Sequence, residues 1–357
     1  MRAMREAYFV VAGAGAAGRT IALALARAGR PVTVVDPLQA SASSVAAGML
    51  APAFEALFDP VASSHFALLR EALGRWSALA AEIGLPLARE GALAVGPRGE
   101  AERWAAGLAA LGADARLLSP EAAAVAAPGL PAGAWAAFAP EDWRLDPATA
   151  LARLQAAAEQ HGARFVKGRV VGFEPGRVAL EGGACLDAAR LVIATGADRG
   201  LAAIAPELAA LTPIKGHILR AQGPFRSAPV VRAAGVYLCR AQGEAVLGST
   251  MELGSADAIV DPTIVGQLLG AAAPLTAALG PLAWRAAAGV RASTADGLPL
   301  VGPAAAPGVI LAVGARRNGW LLAPLIAEAV LAVAEGRAPA GHAAGFDPRR
   351  LAAAQPR

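Results

Sequence analysis

The stretch YFVVAGAGAAGRTIALALARAGRPVTVVD, from Tyr8 to Asp36, decides the fold. It begins with an apolar run, Tyr8 to Ala12, which leads into three glycines with G-x-G-x-x-G spacing, Gly13, Gly15 and Gly18. Buried parallel strands are continuous apolar runs of this kind, and this glycine spacing marks the turn from such a strand into a helix. An alanine-rich segment and a second apolar run follow. The pattern therefore predicts a strand, turn, helix and strand at the start of a dinucleotide-binding domain.

Each part of this unit has a role in holding a pyrophosphate. The first glycine permits the tight turn, the second lets the backbone approach the phosphates, and the third lets the helix pack against the strand. Ala16 and Ala17 open the helix, whose free amides and positive dipole end stabilise an anion. Asp36, about 20 residues past the glycines, can accept hydrogen bonds from a ribose 2'-OH and would repel a 2'-phosphate. We therefore expect a bound adenine dinucleotide.

The chain length and composition limit the other classes of function. The 357 residues are enough for about two domains and a large core. The net charge of +4 includes no Lys/Arg run longer than a pair, which indicates a solvated basic surface more than a nucleic-acid site. No uncharged apolar run approaches the roughly 20 residues of a membrane span. We thus expect a soluble protein with neither nucleic acid nor membrane as partner, and the sequence leaves a homo-oligomer open.

The cysteines and the N-terminus bear on the compartment. Cys185 and Cys239 lack C-x-x-C spacing, which argues against a disulfide framework or a zinc site, so we expect no metal and a reducing compartment. Arg2 and Arg5 before an apolar run could pass for a secretory signal peptide. Arg19 interrupts that run, and the glycines are explained by phosphate binding. We therefore expect a cytoplasmic protein.

Several later stretches carry a more specific pattern. They are SSVAAGMLAP at residues 43–52, TGA at 195–197, AGVR at 288–291, DGLPLVGP at 296–303 and RNGWLLAP at 317–324. Together with the glycine turn they resemble motifs of the D-amino-acid oxidase family of flavoenzymes, most closely those of its glycine oxidases of thiamine biosynthesis. The chain differs from those oxidases at Ala315 and Arg316, in place of a His-aromatic pair, and at Trp320, in place of a smaller aliphatic residue.

The resemblance implies FAD as the cofactor and an α/β plus α+β fold. A Rossmann-like FAD-binding domain would comprise residues 1–85, 144–210 and 285–357. A substrate domain with a mainly antiparallel sheet would comprise residues 86–143 and 211–284. The implied cofactor-binding residues are Gly13, Gly15, Ala16, Ala17, Gly18, Asp36, Ser43, Ser44, Ala47, Gly48, Met49, Val170, Ala194, Gly196, Asn318, Gly319, Trp320 and Leu321.

The expected chemistry is oxidation of a carbon that bears an amine, so the site must mainly orient that carbon and exclude water. Arg291 is the best candidate for a carboxylate clamp because a planar guanidinium binds a carboxylate in a bidentate way. The alternative for Arg291 is a surface salt bridge. Tyr237 either touches the substrate carboxylate or is a core tyrosine, and Arg317 either lines the site or steadies the flavin loop. A lone histidine such as His217 is more often structural.

These residues favour FAD-dependent oxidative deamination of glycine or another small amino acid or amine. Oxygen would be reduced to hydrogen peroxide, and the imine would be available for synthesis of the thiamine thiazole. Within the family, oxidation of a D-amino acid or of an N-methyl amine such as sarcosine is the alternative. Outside it, the alternatives are a nicotinamide-dependent dehydrogenase and a flavoprotein that modifies a nucleic acid.

Overall fold

The computed structural model describes residues 8–223, 229–233, 235–276 and 281–353. Two large sheets organise this part of the chain, one mainly parallel and one mainly antiparallel, with helices packed against them. The fold class expected from the sequence is confirmed. Arg2 and Arg5 lie outside the described residues.

The α-helices are numbered in chain order. They are α1 Ala16–Arg27, α2 Ala42–Val45, α3 Pro52–Phe58, α4 Pro60–Ser63, α5 Phe66–Glu82, α6 Arg98–Ala110, α7 Pro120–Ala126, α8 Pro147–Gln160, α9 Pro262–Thr276, α10 Gly319–Ala334 and α11 Arg350–Ala353. Two 3₁₀ helices span Pro206–Ala210 and Gly341–Phe346. None of the helices in the described ranges is long and apolar enough to cross a membrane.

The strands are numbered in the same way. They are β1 Phe9–Ala12, β2 Val32–Asp36, β3 Met49–Leu50, β4 Leu87–Ala88, β5 Ala92–Gly96, β6 Arg116–Leu118, β7 Trp135–Ala139, β8 Trp143–Leu145, β9 Arg164–Lys167, β10 Val170–Glu174, β11 Gly176–Leu180, β12 Cys185–Ala188, β13 Arg190–Ile193, β14 Thr212–Gln222, β15 Val230–Ala233, β16 Val236–Ala241, β17 Glu244–Gly248, β18 Glu252–Leu253, β19 Arg285–Ser293, β20 Leu300–Pro303 and β21 Val309–Val313.

The mainly parallel sheet has the strand order β20-β21-β13-β1-β2-β9 and contains the glycine turn. β1 pairs in parallel with β2 and β13, and α1 begins at Ala16, directly after the turn. Gly13 has a φ of +105°, and a Cβ there would lie 2.5 Å from the carbonyl oxygen of Ala194. A Cβ on Gly18 would overlap the carbonyl oxygen of Gly13. These contacts explain why the first and third positions of the turn are glycine.

Helix α1 lies between the sheet and two other helices. Its buried residues, among them Ile21 and Leu25, belong to a core that also includes Leu322 and Ile326 of α10 and Leu154 of α8. Asp146 fixes the start of α8, because its side chain accepts a hydrogen bond from the Thr149 amide at 2.8 Å.

The mainly antiparallel sheet has the order β18-β14-β17-β16-β15-β5-β7-β6, and β19 also pairs with β14. Residues 285–357 were expected in the FAD-binding domain, but Arg285–Ser293 forms this β19 and pairs with Thr212–Arg220. Only after Ser293, which bridges to Ala315, does the chain continue into β20 and β21 of the parallel sheet. Two smaller sheets, β10-β11-β12 and β3-β8-β4, complete the described strands.

Replacing Gly18 by alanine should separate α1 from the glycine turn. Overpacking of this kind costs roughly 1–3 kcal/mol, and the displaced helix amides would no longer face the phosphates, so retained flavin should fall together with thermal stability. The matched control is Gly74→Ala in α5, where nothing lies within 4 Å of an added Cβ and alanine stabilises an exposed helix by up to about 1 kcal/mol. Flavin absorbance per protein and the melting temperature measure both effects. Equal flavin content and stability in the two variants would contradict this account of the turn.

Candidate active site

A cleft lies where the antiparallel sheet meets the segment that follows α2. Counting its open mouth, it encloses about 600 Å³. Its lining residues are Ala42, Val45, Ala46, Ala47, Gly48, Met49, Glu55, Gly216, Ile218, Tyr237, Ser249, Gly289, Arg291, Arg317 and Trp320. The structure therefore brings together Arg291, Tyr237 and Arg317, the three residues that the sequence singled out for catalysis.

Arg291 reaches the cleft from β19 and is held there by neutral groups. Its Nη1 donates to the Thr250 carbonyl oxygen at 3.2 Å, and its Nη2 donates to the Ser249 hydroxyl at 3.3 Å. Burial lowers the pKa of its guanidinium below the usual value. Within the described ranges no carboxylate oxygen lies within 4.0 Å of the guanidinium nitrogens of Arg291, the limit for an ion pair. The surface salt bridge considered as the alternative for Arg291 is therefore not found.

The guanidinium of Arg291 lies over the backbone of Gly216. A Cβ on Gly216 would be 2.5 Å from Nη2 and 2.6 Å from Nη1. Gly216 is opposite Gly289 in the β14–β19 pairing, and Arg291 is opposite Ile214. The glycine thus makes the space in which the arginine side chain lies across the sheet.

Tyr237, on β16, lies between the core and the cleft. Its ring belongs to the core beneath the cleft, and its hydroxyl hydrogen-bonds the Ser249 side chain. Burial raises the pKa of Tyr237 to about 12, so the hydroxyl is neutral at physiological pH. A Cβ on Gly248 would overlap that hydroxyl, so glycine at this position leaves room for it.

Arg317 is paired with Glu55, a residue that the sequence analysis did not identify. The Nη2 of Arg317 donates to Oε1 of Glu55 at 3.1 Å, and Arg232 approaches the same oxygen at 3.5 Å. Burial opposes ionisation of Glu55, but the guanidiniums of Arg317 and Arg232 outweigh it and lower the pKa of the carboxyl. The one available sequence signal was a lone acid within the apolar segment PAFEALF, Pro52–Phe58.

Asp142 holds the helix that carries Glu55. Its two carboxyl oxygens accept hydrogen bonds from the amides of Ala53 at 2.8 Å and Phe54 at 3.0 Å, in the first turn of α3. Only 1% of Asp142 is exposed, and burial raises its pKa to about 7. Glu55 is thus presented by a short helix whose N-terminus is anchored to the end of the β7–β8 connection.

His217 is structural, as expected for a lone histidine. The side chain is fully buried in β14, its Nδ1 lies 2.9 Å from Oε1 of Glu252, and its Nε2 accepts from the Asp261 amide at 2.9 Å. Thr250 donates from its hydroxyl to the same Glu252 oxygen at 2.6 Å. His217 therefore fixes the segment whose Thr250 carbonyl holds Arg291.

The residues expected at the adenosine end of the cofactor surround the glycine turn. Asp36 accepts through Oδ2 from the Ala14 amide at 2.7 Å, so it also shapes the turn. Ala194 follows β13, and its amide donates to Ala12 at 2.9 Å, while Gly196 has a φ of +65°. Val170 begins β10, two residues after the Gly168 amide that donates to the Asp36 carbonyl.

The residues at 43–49 divide into three groups. Ser43 accepts from the Ala16 amide at 3.0 Å and so lies against the start of α1. The Ser44 hydroxyl instead forms a capping box with Ser41 in the single turn of α2, which uses its hydrogen bonds locally. Ala47, Gly48 and Met49 line the cleft.

The start of α10 closes the other side of the cleft. Asn318 is its N-cap, Gly319 is its first residue, and Leu321 is buried. The Trp320 indole donates to the Ser43 carbonyl at 3.1 Å, and the Trp320 carbonyl accepts from Trp76 at 3.0 Å. Trp320 is therefore fixed between the core and the cleft.

The start of α1 suits the pyrophosphate of FAD. The first-turn amides of Ala17 and Gly18 have no acceptors within the helix, the first turn contains no acid, and the N-cap, Gly15, has no side chain. Free amides and the positive end of a helix of 12 residues favour a bound anion. Ala17 and Gly18, with Gly15 and Ser43 beside them, would hold the diphosphate.

Comparison with known proteins finds relatives that match most of the chain or a part of it. The tRNA 5-methylaminomethyl-2-thiouridine biosynthesis bifunctional protein MnmC of Caulobacter sp. (strain K31) is 31% identical, over 91% of this chain but 54% of the relative. The chain thus spans about half the length of that relative. The glycine oxidase of Geobacillus kaustophilus (strain HTA426) is 34% identical over 38% of this chain and 37% of its own length.

The fold agrees with a solved flavoenzyme. The crystal structure of glycine oxidase from Geobacillus kaustophilus superposes with a TM-score of 0.82 and 26% identity, covering 96% of this chain and 98% of the other. Residues 9–332 match the DAO family, described as FAD dependent oxidoreductase. The chain therefore belongs to the DAO family of FAD-dependent oxidoreductases, and its cofactor is FAD.

Proposed function

We propose that this enzyme oxidises a small amino acid or amine whose carboxylate is bound by Arg291. The observation that supports this most directly is the contrast between the two cleft arginines. Arg317 is ion-paired with Glu55, whereas Arg291 is held by a hydroxyl and a carbonyl, with no carboxylate oxygen within 4.0 Å of it among the described residues. A buried cation without an anion is costly, and a substrate carboxylate would complete the pair.

The protein's part in the reaction is to orient the substrate and exclude water. When bound, FAD accepts a hydride from the substrate carbon and passes the electrons to oxygen, which yields an imine and hydrogen peroxide. Arg291 fixes the carboxylate end, and the neutral hydroxyl of Tyr237 can donate to it. The apolar walls from Ala47, Met49 and Trp320 keep the reacting carbon out of bulk water.

Glycine is our first choice of substrate, and another small amino acid or amine the next. The Trp320 indole, fixed to Ser43, occupies space at the cleft and favours a small substrate. D-amino acids and N-methyl amines are the alternatives within the family. The use of the imine as a precursor of the thiamine thiazole stays in this proposal on the resemblance of the motifs to those of glycine oxidases. FAD dependence of the family removes the reason to consider a nicotinamide-dependent dehydrogenase.

An amine carried on RNA is the second candidate substrate. The relative that matches most of this chain is named for the biosynthesis of a modified thiouridine of tRNA, and the chain is basic, with a pI near 9.7. Binding driven by phosphates is strongest at low salt. A gel-shift titration with tRNA at low salt tests this candidate, and failure to bind would remove it.

The purified protein should be yellow, should release FAD on acid precipitation, and should form hydrogen peroxide with glycine. The reason for expecting an amino acid is that the cleft, in the part of the chain that the structure describes, offers one guanidinium without an ion-pair partner, that of Arg291, to a substrate carboxylate. A panel of glycine, sarcosine, small D-amino acids and carboxylate-free amines, read by peroxide release, measures the preference. Inert glycine and sarcosine alongside turnover of a larger D-amino acid would refute the glycine oxidase proposal.

Replacing Arg291 by lysine should keep the charge and lose the bidentate geometry. A charged hydrogen bond is worth about 1.5–3 kcal/mol, so kcat/KM for an amino acid should fall by about tenfold to over a hundredfold with FAD still bound. Arg291→Met should be worse. A carboxylate-free amine should lose much less in both variants, and equal losses for the two substrates would show that Arg291 is not the anchor.

Gly216→Ala should displace the Arg291 side chain without removing it. The added methyl group meets the mobile end of a side chain, so the fold should survive, whereas a displacement of about 1 Å can cost up to a hundredfold in rate. We expect KM for the amino acid to rise with little change in melting temperature. Gly270→Ala, in α9 with open space around the added Cβ, is the control. An unchanged KM in the Gly216 variant would contradict the described position of Arg291.

A further inference from the structure

We propose that Glu55 binds the amino group of the substrate and thereby makes the cleft select amines over hydroxy acids. The inference rests on the proposed amine oxidation and adds a specificity-determining residue to the same cleft. It goes beyond the carboxylate clamp because a clamp alone treats an amino acid and the corresponding hydroxy acid alike.

The positive charges of the cleft mean that an anion is needed to bind the substrate ammonium. Arg291 and Arg317 line it, and Glu55 is the one acid among its described lining residues. An amino acid at neutral pH brings an ammonium as well as a carboxylate. Between two guanidiniums the ammonium would be repelled unless an anion lay beside it. Glu55 is the group placed to supply that anion.

The carboxylate of Glu55 has unused capacity to accept a hydrogen bond. Its Oε2 is buried without a hydrogen-bond partner in the described structure, and the Nε of Arg317 lies 3.0 Å away without donating to it. A carboxylate oxygen can accept two hydrogen bonds, and a buried acceptor without a donor is destabilising. An N–H group of a bound substrate would satisfy Oε2.

Glu55 is also held in a fixed position, as a residue that selects amines over hydroxy acids must be. Asp142 anchors the first turn of α3 through two amide hydrogen bonds, and Arg232 stacks over the Phe54 ring, with its guanidinium carbon 5.6 Å from the ring centre. Despite burial, the guanidiniums of Arg317 and Arg232 lower the pKa of Glu55, so it remains an anion. It is therefore suited to accept a hydrogen bond and orient the amine.

A purely structural role makes a different prediction. If Glu55 only neutralises Arg317 and Arg232, its removal should disturb the cleft for every ligand equally. If it binds the amine, removal should weaken ligands that carry an ammonium and spare those that carry a hydroxyl. A matched pair of ligands distinguishes these roles.

The experiment compares α-aminoisobutyrate with α-hydroxyisobutyrate, which share the carboxylate and lack the hydrogen that oxidation would remove. Dissociation constants are measured by calorimetry on the FAD-loaded wild-type enzyme and on Glu55→Gln. We expect the variant to bind the amino ligand about tenfold or more weakly and the hydroxy ligand almost unchanged. The control is Glu244→Gln, another buried acid paired with an arginine, Arg285, outside the cleft lining. It should change neither constant.

Equal weakening of both ligands in Glu55→Gln, or no change in either, would overturn the role of Glu55 and leave the proposed oxidation intact. Wild-type enzyme that forms no hydrogen peroxide with glycine or any other small amino acid or amine of the panel would instead refute the proposed oxidation. Should Glu55→Gln fail to fold, the triple variant Glu55→Gln/Arg317→Met/Arg232→Met removes the acid together with both of its arginine partners, so that neither arginine is left as an unpaired buried cation. It must also lose the preference for the amino ligand, and a retained preference would overturn the inference.

Discussion

The pairing of β19 with β14 is the constraint on which the active-site geometry depends. It runs from Thr212 opposite Ser293 to Arg220 opposite Arg285 and fixes Arg291 across the backbone of Gly216. The same strand ends at the bridge between Ser293 and Ala315, from which the chain leads into α10. One continuous strand therefore connects Arg291, the proposed substrate clamp, to the segment that leads into α10. The positions of Arg291 and α10 are coupled through this strand.

The two arginines of the cleft, Arg291 and Arg317, are held by groups of different charge. Arg317 is held by Glu55, on a helix that Asp142 anchors, while Arg291 is held by groups that carry no charge. Because an ion pair in a partly buried site weakens the attraction of its members for a third ion, Arg317 is a poor competitor for the substrate carboxylate. In the proposed function, this difference orients the bound substrate, because its carboxylate is attracted to Arg291 more than to Arg317. No pocket shaped to each end of the substrate is needed for that orientation.

The sequence was most informative where the signal was local. The glycine turn and the start of α1 each depend on neighbouring residues, and the structure has them where the pattern predicts. Arg291, Tyr237 and Arg317 came from a family resemblance, and they meet in one cleft. Asp142 was missed because it bonds Ala53, 89 residues away, and no local pattern records such a contact. The pairing of β19 with β14 was not predicted, because the small residues of β19, RAAAGVRAS, show no apolar alternation and its partner strand lies far away in the sequence.

The packing of α1 against α10 has a consequence for biosynthesis. α1 is complete at Arg27, but the α10 residues that cover its apolar side, such as Leu322 and Ile326, come some 300 residues later in the chain. At about 5–20 residues per second, roughly 15–60 s of translation separate the two helices. During that interval the nascent nucleotide-binding unit exposes an apolar surface to the ribosome exit and to chaperones. Completion of this packing must then await synthesis of α10, so the nucleotide-binding unit can reach its full packing only after translation has passed that helix.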